Sequence, residues 1–297
     1  MTLSSSTSKL VKPHHETGSY WGSLWMVLAT LSFTLMSVLV KMAGVKFALH
    51  EYELVFWRVL FASIVLGVQA WLMKRDFTTQ YPKAHFWRSL FGSLGIFMFF
   101  YSLGSLPLAT AITFNHTSAI FLALLSVIIL KQIPSRLTWF SLILGLIGVI
   151  FILRPSILQY GAFATLIGLC SGAIAGYAYL QVRELSLLGE PSWRIVFYFS
   201  TLATILAGIA SSIKGWSSLT FEMLPYLLGI GFFAMVGQLA MTYAYKVGRK
   251  FMVAALGYLV VVFSTLFGIF VFNEPISLLI IIGMLLIIVS GIIAGVK

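Results

Sequence analysis

The sequence predicts an all-α integral membrane protein with ten transmembrane helices arranged as two inverted five-helix repeats. Three observations carry this. Of 297 residues, 60% are hydrophobic and only 9% charged, more apolar surface than one soluble core can bury. Apolar runs of roughly 20 residues recur along the chain, the length that crosses a hydrocarbon layer. Residues 142 positions apart agree in type between the two halves.

The ten spans fall at roughly 21–44, 54–73, 85–105, 107–130, 138–153, 161–182, 194–213, 223–245, 251–272 and 276–296. Residues 1–19 are rich in Ser and Thr, lack an apolar core and read as a disordered cytoplasmic tail. Only Leu106-Pro107 separates spans three and four, and the division there rests on total apolar length. The connections are too short for a soluble domain. The first repeat is 20–156 and the second 157–297.

Orientation follows from basic residues. With the N-terminus inside, Lys9, Lys12, Lys74, Arg75, Lys83, Arg88, Lys131, Arg136, Arg183, Arg194, Lys246, Arg249, Lys250 and Lys297 are inner. Only Lys46, Arg154 and Lys214 are outer, while Lys41 and Arg58 lie within outer span ends. The bias puts both termini in the cytoplasm. The net charge of +11 is thus spread between spans rather than gathered on a soluble module, and nucleic acid is not an expected partner.

The repeat is read from paired positions. A shift of 142 pairs Tyr101 with Tyr243, His116 with Tyr258, and Lys131-Gln132 with Asn273-Glu274. The segment before aligns near 139, pairing Ser32 with Ser171 and Glu51 with Glu190. Five spans is an odd number, so the second half enters the bilayer from the opposite side. Such halves hold a solute at the midplane between them.

Gly168, Gly172 and Gly176 recur every fourth residue in span six, a face for close helix approach, and Gly291 and Gly295 do the same in span ten. Trp21, Trp25, Trp57, Trp87 and Trp139 lie near span ends, as interfacial anchors do.

Span four carries the densest polar set. Thr110, Thr113 and Thr117 share one stripe and His116 flanks it. Thr113, His116 and Thr117 are expected on a solute path, with Asn115 in a helix–helix hydrogen bond. His116 is the one ionisable group well inside a span; it either links helices or, on the path, titrates near neutrality and couples protons. Span eight adds Gln238, Thr242 and Tyr245 at helical spacing, with Tyr243 beside them. Tyr101 and Tyr258 complete an aromatic wall, joined by Tyr177 and Gln181. Aromatic walls with a few amides and hydroxyls suit a small amphiphilic organic solute. The same groups also serve as interhelical glue.

No carboxylate is central, which disfavours a midplane proton or sodium site built on Asp or Glu. Glu51, Glu53 and Arg58 open span two and are expected to form a local ion pair, with a charged vestibule for solute as the alternative. Cys170 is the sole cysteine, so no intrachain disulfide exists. No metal spacing, P-loop or nucleophile elbow occurs, so neither an enzyme, a metal nor a cofactor is expected.

The chain resembles the drug/metabolite transporter superfamily, EamA type, over roughly 20–296. The first half carries it in Phe56-Trp57-Arg58, Phe100-Tyr101-Ser102-Leu103, Pro107-Leu108-Ala109-Thr110-Ala111 and Thr117-Ser118. The second half carries it in Ala178 through Leu185, Gly189-Glu190-Pro191, Gln238 through Thr242, and Phe272-Asn273-Glu274. Ala119 stands where the family usually has Pro after Thr-Ser, and Gln132 where it usually has Glu. The resemblance implies a bacterial inner-membrane carrier with a cavity walled by spans one, three, four, six, eight and nine. It implies an exporter of amino acids, related metabolites or toxic organics working by alternating access. A metabolite importer or exchanger, of S-adenosylmethionine-like solutes for example, and a non-transporting scaffold are the alternatives.

Overall fold

A computed structural model describes residues 18–106, 108–153, 162–272 and 277–295. It is all helical: α1 (Tyr20–Ser23), α2 (Trp25–Phe47), α3 (Glu51–Leu72), α4 (Pro82–Ser105), α5 (Leu108–His116), α6 (Ser118–Ile128), α7 (Arg136–Leu153), α8 (Ala162–Leu187), α9 (Ser192–Lys214), α10 (Leu224–Val247), α11 (Lys250–Leu256), α12 (Leu259–Phe272) and α13 (Leu278–Gly295). The pairs α1/α2, α5/α6 and α11/α12 each read as one span with an internal break, so thirteen helices make ten spans. Among the described residues nine of these are long and apolar enough to cross a bilayer. The tenth, α4, has 24 residues but opens with Lys83, His85 and Arg88. The Pro107 break, the Asn273-Glu274 pairing and all of the tail before Gly18 lie outside the described residues.

Gly18 and Ser19, assigned to the tail from sequence, are instead fixed. Ser19 forms an isolated parallel bridge with Gly248, and its N–H donates to the Val247 carbonyl at 2.7 Å. The span boundaries otherwise follow hydropathy. Helix starts use ordinary chemistry: the His50 ring accepts from the Glu53 N–H at 3.3 Å, and Pro82 occupies the first turn of α4. Large apolar side chains such as Phe270, Ile128 and Trp71 point outward, as a lipid-facing surface requires.

The principal helix pairs are α2 with α10, α4 with α8, α3 with α9, and α7 with α13. In spans these are one with eight, three with six, two with seven, and five with ten. Exchanging the two halves maps this set onto itself. Individual contacts obey the same exchange. The Cβ position of Gly148 falls 2.7 Å from the Gly283 carbonyl, and the Ser290 hydroxyl donates to the Ser141 carbonyl at 2.8 Å. Position 148 is 142 before Ser290, and 141 is 142 before Gly283. Likewise Gly67 packs on Phe197 and Gly208 on Phe56, two contacts whose partners are each 141 apart. In spans two and seven the contacts therefore follow 141 rather than 139, aligning Phe56-Trp57 with Phe197-Tyr198.

Span four bends at Thr117 even though Ala119 replaces the usual proline. The Thr117 hydroxyl and N–H both turn back to the Phe114 carbonyl, at 2.5 and 3.1 Å. That three-residue closure competes with the next helical bond and splits α5 from α6. The matching split in span nine falls at Gly257–Tyr258. The glycine stripe of α8 packs on this bend, with Gly172 against the Phe114 carbonyl and the Thr117 hydroxyl, and Gly176 against the Ser118 carbonyl.

Candidate solute site

Buried polar groups gather on one face of α4. His85, Arg88, Ser89, Gly92 and Ser93 recur at three- and four-residue spacing, so the helix turns them all inward. Arg88 is 2% exposed, and its guanidinium lies over the Phe199 ring of α9 at 4.5 Å. It can lie there because Gly92 has no side chain; a Cβ would collide with the Arg88 Nη1. Arg88 Nε and Nη1 have no hydrogen-bond partner, nor do the hydroxyls of Ser89 and Ser93. A cation–π contact is worth about 0.5–2 kcal/mol. Burying a cation costs several kcal/mol, so the ring leaves the charge undercompensated.

Two further groups share this space. Arg58 of α3 rests over the Phe33 ring of α2 at 5.8 Å. Tyr179 of α8 stacks on Tyr245 of α10, with centroids 5.7 Å apart and planes 21° apart. Tyr179 interacts electrostatically with both Arg58 and Arg88, which joins the three into one cluster. Arg58 and Tyr179 are each partly buried.

The ion pair expected for Arg58 is not formed. Glu53 Oε2 instead accepts from the Ser217 hydroxyl at 2.7 Å and its N–H at 3.3 Å, and lies 3.8 Å from the His50 ring. Geometry explains this: Glu53 and Arg58 are five residues apart, on different faces of α3, and Glu51 is two turns away.

A loop network closes the α4 end of the cluster. Glu190 accepts from the Thr79 hydroxyl at 2.6 Å and from Arg194 Nη1 at 3.0 Å, and the His85 ring is 3.2 Å away. Arg194 also donates to the Asp76 carbonyl at 2.7 Å. Partial burial raises the Glu190 carboxyl, but its contacts with Thr79, His85 and Arg194 outweigh that and hold it below the usual carboxylate range. Asp76, accepting from the Thr78 hydroxyl and N–H, is also held low. The single negative charge of Glu190 is thus taken up by Arg194, leaving none for Arg88.

The residues expected on the path separate into three groups. His116 and Tyr258 meet ring to ring, centroids 6.0 Å apart, and the Tyr258 hydroxyl donates to the Leu142 carbonyl at 3.2 Å. Thr113 is buried beside them on α5, and Thr117 makes the bend. Gln238 is buried in α10, and the fully buried Thr242 donates to the Gln238 carbonyl at 2.8 Å, within its own helix. Tyr101 and Tyr243, equivalent at 142, lie on the outer flanks, 42% and 40% exposed, edge-on to Phe163 and Trp25. The structure does not bring these two to the interior groups. Sequence reasoning singled out Arg58 only with Glu51 and Glu53, and overlooked Arg88 and Tyr179 as site residues. The signal was the spacing of Arg88 with Ser89, Gly92 and Ser93, which marks an inward face.

Gln132, where Glu is usual, accepts from Lys250 Nζ at 2.5 Å. The first-half position thus keeps its link to the second half through a neutral amide.

Comparison with known proteins fits this architecture. An uncharacterised transporter of Helicobacter pylori is 29% identical over 91% of this chain and 93% of its own length. The pseudopaline exporter CntI of Pseudomonas aeruginosa is 29% identical over 91% and 94%. An S-adenosylmethionine uptake transporter of Rickettsia bellii is 24% identical over 84% of each chain. A solved crystal structure superposes with a TM-score of 0.78 at 16% identity, over 92% of this chain and 96% of that one, and shows the shared fold. The EamA-like transporter family matches residues 20–154 and again 162–295, and the chain belongs to that family.

Proposed function

We propose that the protein is a secondary carrier that moves a small organic metabolite across a bacterial inner membrane by alternating access. The observation that carries this is the cluster of Arg58, Arg88 and Tyr179, polar groups held within the bundle by helices α3, α4 and α8 and so drawn from both family matches. The two matched segments act as inverted repeats, with both termini cytoplasmic. One half rocks against the other about a line near the His116–Tyr258 contact. Relatives named as exporter and as uptake transporter both support small-molecule transport. The bends at Thr117 and Gly257–Tyr258 supply the hinges, since neither span has to flex as an unbroken rod. No step calls for catalysis.

The test is counterflow. Proteoliposomes loaded with a metabolite extract are expected to exchange at least one labelled component faster than empty vesicles. Absence of any protein-dependent flux with that extract overturns the carrier reading. Cysteine labelling of the α5/α6 and α11/α12 spans is expected to show access from either side in turn. Labelling from neither side would exclude a path along the seam.

A further inference from the structure

We propose that Arg88, with Arg58 and Tyr179, forms a binding site for the carboxylate of an organic acid, the apolar body of which rests on the surrounding aromatic rings. This names the solute class of the carrier and rests on that reading.

The argument begins with charge. Arginine does not shed its proton in a protein, so Arg88 is a permanent cation. It is 2% exposed, and two of its guanidinium nitrogens lack acceptors. The nearest carboxylate network, at Glu190, is already saturated by Thr79, Arg194 and His85. Arg58 has no carboxylate partner either among the described residues and rests on a second ring, Phe33. Both cations act on Tyr179 and neither has a carboxylate partner among the described residues, so an anion entering beside Tyr179 would be attracted by both.

The surroundings decide which anion. Phe33, Phe199, Tyr179 and Tyr245 supply apolar faces, and beyond Arg88 the inward face of α4 carries the hydroxyls of Ser89 and Ser93, while His85 is taken up by Glu190. Two arginines could also serve a phosphate, so the aromatic lining rather than the donor count favours an anion that carries an apolar body. A carboxylate needs two acceptor oxygens satisfied by a planar fork, which a guanidinium does. The Tyr179 hydroxyl adds a donor, and the stacked Tyr179–Tyr245 pair offers a flat wall for the solute body.

The test uses the purified full-length protein in phosphatidylcholine nanodiscs, followed by thermal melting. The probes are matched sets: phenylpropionate, phenylpropionamide and phenylpropylamine; L-leucine and L-leucinamide; L-phenylalanine and L-phenylalaninamide. Inorganic phosphate and glycerol phosphate serve as free-anion and lipid-headgroup controls. Carboxylate members are expected to raise the melting temperature saturably, and their amides and amines are not. Arg88→Gln is expected to weaken that effect at least about ten-fold, and Arg58→Gln to weaken it as well. Arg88→Lys keeps the charge without the fork and falls between.

A second readout separates binding from structure. Because the unliganded charge is undercompensated, Arg88→Leu is expected to raise the melting temperature of the empty protein. In the wild type, carboxylate probes are expected to slow phenylglyoxal modification of Arg88, mapped by mass spectrometry. The proposal is overturned if no carboxylate protects, if amides or amines protect equally, if phosphate or glycerol phosphate alone protects, or if Arg88→Leu melts earlier. Carboxylate binding without counterflow would remove the carrier reading and leave the site. Counterflow of neutral or cationic solutes, untouched by Arg88→Gln, would do the reverse.

Discussion

His116 of α5 packs edge-on to Tyr258 at the break before α12, with ring centroids 6.0 Å apart. The two positions are 142 residues apart, the shift that relates the two family matches. Equivalent residues touch each other only near the line relating the halves. The chemistry there differs, imidazole against phenol, so the contact is asymmetric, and the phenol adds a hydrogen bond that ties the second half to the first. The anchor is the Tyr258 hydroxyl on the Leu142 carbonyl of α7.

Removing that hydroxyl measures the anchor. Tyr258→Phe keeps the ring against His116 and against the backbone at Gly145, and loses one neutral hydrogen bond. A net cost of about 0.5–1.5 kcal/mol is expected. A lower melting temperature in detergent, with unchanged expression, checks it.

Two glycines make a paired test of packing. The Cβ of Gly172→Ala would fall on the Phe114 carbonyl and the Thr117 hydroxyl, and a backbone atom cannot step aside. A destabilisation of about 1–3 kcal/mol is expected, with α8 pushed off the bend. Gly44 has nothing within 4 Å of its Cβ position. Gly44→Ala is therefore expected to be neutral or to stabilise by up to about 1 kcal/mol through helix propensity. Thermal melts of both variants in one detergent decide it.

The spans were legible because hydropathy reports lipid exposure directly, and α3, α9 and α10 begin within three residues of the expected positions. The repeat was legible in Tyr101 and Tyr243, which do hold equivalent places, each edge-on to an aromatic at a helix start. Their direction was not, because a tyrosine suits a bilayer interface as well as a cavity. The facing of the arginines was hidden for a related reason. A count of basic residues by side places Arg88 at one end of its span and says nothing of which way the helix turns it. Proximity along the chain pairs Arg58 with Glu51 and Glu53, whereas α3 turns it toward Phe33. Which helices meet, and so which polar faces share a space, is tertiary information.

We propose His116, the imidazole at the line between the halves, as the group to test should counterflow depend on pH. His116→Ala is then expected to abolish the pH-dependence of counterflow while leaving exchange at a fixed pH measurable. A pH profile unchanged from wild type would clear the ring of that role and leave it as packing against Tyr258.

Glu190 predicts how the fold responds to acid. Its carboxyl is held below the usual range, net of burial, by contacts with Thr79, His85 and Arg194. A carboxyl depressed in the folded state contributes stability above its unfolded pKa of about 4.3, and that contribution fades as pH falls through the folded value. The melting temperature should therefore hold above about pH 5 and drop below about pH 4. Glu190→Gln keeps the size of the side chain but surrenders the charge that Arg194 pairs with. Its melting temperature at pH 7 should be lower than that of the wild type and its acid drop shallower, because the variant has less to lose. Asp76, held low by Thr78, keeps part of the acid drop in place. Melts of both proteins between pH 3 and 7 test this; parallel curves would mean that the network around Glu190 does not bind the α4 end to α9.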